Sequence, residues 1–206
     1  NREVLGKSAA DLFGARTGND EALVLLNQIT EQIPTEAVIF DVSTDRGIRS
    51  GNQSITEIMY KLFLKHLGYA EDLDLAELEI SLEEIGELGR FKEVYESKFN
   101  QPWDKGKNKI AFALVQASGV MHQIDPETYT APDCWVQAAI EKADITAVKL
   151  GARCRELMAR RREGMNLVFV VDEVGQFVSR DVQKMLDLQG VVQSLGRVSR
   201  GRSWLV

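Results

Sequence analysis

Two adjacent carboxylates at the end of an apolar run are the residues with the clearest chemistry in this chain. Leu167-Val168-Phe169-Val170-Val171 leads directly into Asp172-Glu173. A continuous apolar run without alternation reads as a strand buried on both faces. Its C-terminal end is where ligands sit in open α/β sheets. An Asp there can hold Mg2+, usually through water, while the metal bridges nucleotide phosphates. Glu173, pointing elsewhere because strand side chains alternate, can polarise an attacking water as a general base. The same pattern also describes a solvated strand end before a turn, and the acids by themselves leave both readings open. Gln176 follows in the next loop and could contact a bound nucleotide or orient water, as could Gln189; as turn and helix-surface residues neither needs such a role.

The elements that must position these side chains can be read from periodicity. Ala37–Val42 (AVIFDV), Asn166–Asp172 (NLVFVVD) and Ser203–Val206 (SWLV) are the three expected strands. Each follows a helical stretch, the order of a wound parallel sheet covered by helices. Gln53–Leu67 carries an apolar stripe behind the capping box Ser54-Ile55-Thr56-Glu57. Thr146–Arg162 and Asp181–Leu195 repeat the stripe, the latter with Ser179 as its expected N-cap. Further helices are expected over Glu21–Gln32, Leu73–Glu84, Gly89–Phe99, Lys107–His122 and Pro132–Lys142. About 120 residues separate the first strand from the second, whereas a plain crossover needs only about a dozen. The expected architecture is a three-layer α/β core, residues 1–43 and 164–206, interrupted by a helical insertion, residues 44–163. An acid-tipped strand, then a helix, then another apolar strand is the order of ASCE-type P-loop ATPases, with Asn166–Glu173 in the Walker B place. A sensor residue would then follow Val206.

A phosphate-binding loop needs G-x-x-x-x-G-K-[ST]. Gly6-Lys7-Ser8 mimics its end, but residue 1 is Asn where the first glycine should stand, and Gly14 and Gly18 interrupt the helix that should follow. The true loop is expected upstream of Asn1. Arg160-Arg161-Arg162 closes a helix, where positive charge offsets the dipole. Arg197, Arg200 and Arg202 fill the connection into the last strand, as solvated charge or as a contact to a neighbouring subunit's phosphate. His66 falls on an apolar stripe and His122 stands near Asp125 without further ligands, so neither reads as a metal site. Trp103 and Trp135 read as packing.

Composition narrows the function classes. Of 206 residues, 44% are hydrophobic and 27% charged, enough apolar content to bury a core. The formal net charge of −6 argues against a broad nucleic-acid face and direct nucleic-acid contact. Cys134 and Cys154 lack CxxC spacing, which disfavours a disulfide framework and fits a reducing cytoplasm. No apolar run approaches the roughly 20 residues that cross a bilayer.

The chain resembles the large P-loop ATPase of BREX phage-defence systems. The likeness is carried by Asn166–Val178 (NLVFVVDEVGQFV), Pro34–Val42 (PTEAVIFDV), Gly68-Tyr69, Leu188-Gln189 and Ser194-Leu195-Gly196, with DEVGQF its most specific part. The resemblance implies a cytoplasmic AAA-like ATP hydrolase using ATP and Mg2+ within a multi-protein anti-phage complex, with other defence proteins as partners and self-assembly left open. It implies Asp172 as the metal-binding and nucleotide-binding acid and Glu173 as the catalytic one. In that family the Walker A loop precedes the segment matching Asn1, so this piece alone is expected to be inactive. Two alternatives remain: a non-catalytic, nucleotide-gated scaffold, and a DExx-type nucleic-acid translocase.

Overall fold

The computed structural model describes residues 3–4, 7–41, 54–139, 145–179 and 181–206. The chain begins with a two-stranded antiparallel hairpin, β1 (Glu3–Val4) and β2 (Lys7–Ser8), then helices α1 (Ala9–Thr17) and α2 (Asp20–Gln32) and strand β3 (Thr35–Asp41). A helical stretch follows: α3 (Ile55–His66), α4 (Leu73–Glu84), α5 (Leu88–Phe99), the single turn α6 (Trp103–Gly106), α7 (Ile110–Ile124), α8 (Cys134–Ala139) and α9 (Ala147–Arg161). Strand β4 (Asn166–Asp172), the short helix α10 (Val174–Val178), helix α11 (Val182–Ser199) and strand β5 (Ser203–Leu205) complete it.

Side-chain caps set several helix starts. The Ser54 hydroxyl accepts from Glu57 N at 3.2 Å and Thr146 accepts from Lys149 N at 3.3 Å, each satisfying an orphan amide of the first turn. Asn19 and Asp72 do the same for α2 and α4. For α11 the cap is Asp181, not Ser179: Asp181 Oδ1 accepts from Gln183 N at 2.9 Å and Lys184 N at 3.2 Å. Ser179 instead ends α10 at a positive φ of 42°. A carboxylate two residues later was in reach of the same orphan amides, and it won.

The three main strands form one parallel sheet in the order β3-β4-β5. Val42, expected in the first strand, lies outside the described residues, as do residues 140–142 of the expected Pro132–Lys142 helix and Gln53 of the expected Gln53–Leu67 helix. One sheet face buries Val38, Phe40, Leu167, Phe169 and Val171. Helix α3 lies over it, with Phe63 and Phe169 rings 6.1 Å apart, and α9 and α11 complete the layer. Helices α3 and α9, assigned from sequence to the insertion, therefore build the layer that covers the sheet.

On the opposite face the expectation of burial fails. Ile39 is 57% exposed and Trp204 43%, and no described helix covers them. The third layer is thus not seen among the described residues. An apolar run says what a strand tolerates, but it does not supply the cover. The candidate cover, α2, packs against α1 and keeps Leu25, Ile29 and Ile33 exposed.

Farther from the sheet, Phe91, Tyr95 and Trp103 form an aromatic nest with ring centroids 4.9 to 6.5 Å apart. Beside it lies a buried ion pair. Lys107 Nζ is 3.1 Å from Glu79 Oε1, and the two residues are 5% and 2% exposed. Glu79 also accepts from Trp103 Nε1 at 2.7 Å and Ala70 N at 2.6 Å, while Lys107 donates to Gly68 O at 2.6 Å. Such a pair is tolerated in the interior only when its hydrogen bonds are satisfied in this way.

Candidate functional site at the sheet's C-terminal edge

The acid pair stands at the rim of the middle strand. Asp172 is the last residue of β4 and is exposed. Its Oδ1 accepts from Glu173 N at 2.8 Å, so one carboxylate oxygen is fixed by the turn itself. Register then adds a residue that sequence reading missed. Asp41, the last residue of β3, is the direct partner of Asp172 across the parallel ladder. Adjacent strands run about 4.8 Å apart, and opposed residues share a face, so two carboxylates stand side by side at this edge. The sole signal in the sequence was the Asp inside AVIFDV, and only the pairing register gives it meaning.

Glu173 is separated from Asp172 by a different device from the one expected. It is not a strand residue whose side chain alternates. The strand stops at Asp172, and Glu173 adopts φ 57°, ψ 22°, the left-handed region that side chains other than glycine rarely enter. The turn reverses the chain into α10, where Phe177 and Val178 are buried at 4% and 8%. Lys184 Nζ lies 4.5 Å from the Phe177 ring centroid. These anchors hold the turn, and the Glu173 side chain remains exposed with no partner among the described residues.

Gln176 falls within α10, three residues beyond Glu173, and its side chain lies outside the described residues. Gln189 is exposed on α11 and makes no side-chain hydrogen bond among the described residues. Lys7 and Ser8 pair with Val4 and Glu3 in the separate hairpin, away from the parallel sheet.

Arg197, expected in the connection to the last strand, lies in the last turn of α11, and Arg200 and Arg202 follow it exposed; the other candidates resolve into structural partners. Arg160 and Arg161 reach across to α4, with Arg161 donating to Glu83 Oε1 at 2.8 Å and stacking over the Tyr69 ring at 3.7 Å. Arg162 Nε donates to Glu36 Oε1 at 2.8 Å, and His66 Nε2 lies 2.6 Å from Glu36 Oε2. The hydrogen bond to His66, helped by Arg162, holds the Glu36 carboxyl below its ordinary value despite some burial. His122 Nδ1 meets Tyr129 O at 2.5 Å. Trp103 is buried in the aromatic nest, Trp135 packs partly against the core, and burial pushes the Cys154 thiol well up. Among the described residues no group of three or more His, Cys, Asp or Glu is arranged to hold a metal, and no helix is long and apolar enough to cross a membrane.

The fold and site together define an α/β protein with carboxylates gathered at the C-terminal edge of a three-stranded parallel sheet. No family model matches the chain, and no solved structure matches its fold.

Proposed function

We propose that this chain is part of a P-loop-class ATP hydrolase, a motor or switch subunit of a bacterial BREX-type anti-phage complex working in the cytoplasm with other defence proteins. The observation that carries the reading is the placement of Asp172 and Glu173 at the C-terminal rim of the middle parallel strand, where open α/β sheets take their ligands. The sequence likeness through Asp172–Phe177 supports this class.

The donor chemistry suits Mg2+, which in nucleotide sites takes one or two carboxylates together with phosphate oxygens and water. Asp172 would hold it, with Oδ1 already engaged by Glu173 N and Oδ2 left for the cation; Asp41 stands beside it on the same face. Bound ATP and Mg2+ would supply the scissile phosphoryl group and the neutralisation of its charge. Glu173 would accept the proton of the attacking water from its own side of the left-handed turn, and Gln176 would line the nucleotide.

In the full-length protein, Glu173→Gln should lower ATP turnover at least about a hundredfold, the scale of a general base, while ATP binding persists. Turnover that survives the substitution removes Glu173 from this role.

A further inference from the structure

A cleft of about 120 Å³ opens at the other end of the sheet, among the last turn of α9, the Gly164 turn, the start of β4 and the lead into β5. Its floor is apolar, formed by Cys154, Met158 and Leu167 with Met165 at the side. Its rim is cationic: Arg155, Arg162 and Arg202 all line it. Arg162 is committed to Glu36. Arg155 and Arg202 are exposed and have no carboxylate partner among the described residues. Two acids stand next in sequence to lining residues: Glu156 is taken by Arg153 and Arg160, and Glu163 makes no ion pair among the described residues. Five strand steps of about 3.3 Å separate Leu167 in this cleft from Asp172, about 17 Å, so it stands apart from the ATPase reading.

We propose that the cleft docks a partner-protein segment in which one apolar side chain is flanked by carboxylates. The volume fits a single side chain, since a cavity of about 150 Å³ takes a benzene ring. An apolar floor under guanidinium groups selects an anchor that is greasy at its tip and acidic at its flanks, and Arg is the cation best suited to bidentate carboxylate pairing. A phosphodiester backbone would match the rim but leave the floor unfilled. The two helix C-termini that end here account for part of the positive charge, but not for an open apolar floor beneath it.

The test uses the whole 206-residue chain and a fluorescein-labelled peptide carrying one leucine between two pairs of aspartates, read by anisotropy. Counterparts replace the leucine with alanine, or the aspartates with asparagine. The leucine-aspartate peptide should bind at least about tenfold more tightly than either counterpart, and Arg155→Glu with Arg202→Glu should weaken it by about tenfold or more. Both arginines are exposed and without a carboxylate partner among the described residues, and an unchanged thermal unfolding profile keeps loss of fold out of the result. No binding, equal binding of the three peptides, or binding that survives the double substitution overturns the proposal. So does tighter binding of a single-stranded oligonucleotide that the same substitutions abolish, because the cleft would then read phosphate.

Discussion

Replacing Glu173 with glycine should make the protein more stable while removing its proposed catalytic group. Glu173 sits at φ 57°, and a non-glycine residue in the left-handed region costs about 1–2 kcal/mol. Glycine removes that cost but brings about 0.5–1 kcal/mol of extra unfolded-state entropy. The side chain is exposed and makes no contact among the described residues, so no packing is lost. The net gain is about 0.5–1 kcal/mol, or a rise in Tm of about 1–4 °C for a chain of this size. Glu173→Gln is the control, because it keeps the side-chain size and the strain and should leave Tm unchanged. The assay is urea and thermal unfolding of the chain followed by circular dichroism. A glycine variant no more stable than the glutamine variant would refute the claim that strain is stored at this turn.

Four further substitutions test the packing around the sheet and the buried polar groups. Lys107→Met leaves Glu79 charged and buried beside Trp103, and should cost about 3 kcal/mol in urea unfolding, the low end for a broken buried pair because Trp103 and Ala70 still donate to Glu79. Glu36 is held below its ordinary carboxyl value of 4.5 chiefly by its hydrogen bond to His66, then by Arg162. Its folded pKa is depressed, so its contribution is complete above the unfolded value and is lost as pH falls through the folded one. The stability gap between wild type and Glu36→Gln, read as urea midpoints, should therefore shrink as pH drops from 5 toward 3. A Cβ at Gly151 would meet Ser194 Oγ at 2.5 Å and Ser194 O at 3.2 Å, so Gly151→Ala should cost about 1–3 kcal/mol by overpacking α9 against α11. Ser194 Oγ is buried with no hydrogen-bond partner among the described residues, and Ser194→Ala should be neutral or gain up to about 1 kcal/mol.

Local signals were legible where one residue type had one physical outcome. Leu73–Glu84 forms a helix over its expected span because Asp72 caps it and its stripe faces the core. The acid-tipped strand reads correctly because an apolar run bounded by two carboxylates leaves little choice of register. What the sequence hid depends on partners far along the chain. Asp41 became part of the site only when β3 paired with β4 in register, across the whole helical stretch between them. Arg160 and Arg161 looked like dipole charges until α4 supplied Glu83 and Glu84. The uncovered sheet face was invisible for the same reason: apolar strands record compatibility with burial, while the covering layer is set by how α1 and α2 pack.

The two acids of the candidate site are positioned by different devices, and the difference bears on how precisely each is held. Asp172 is positioned by the ladder: it ends the central strand, paired with Asp41 of β3 on one side, one residue beyond the last β4 amide bonded to the C-terminal strand segment. Glu173 is fixed by a turn whose backbone favours relaxation, and it stays in place because α10 is pinned by Phe177 and Val178. Strain of this kind persists only where the surroundings over-determine it, and such places cluster at functional sites. A glycine or asparagine would make the same turn at lower cost. A carboxylate at a strained turn directly after Asp172 supports the proposal that Glu173 is the general base.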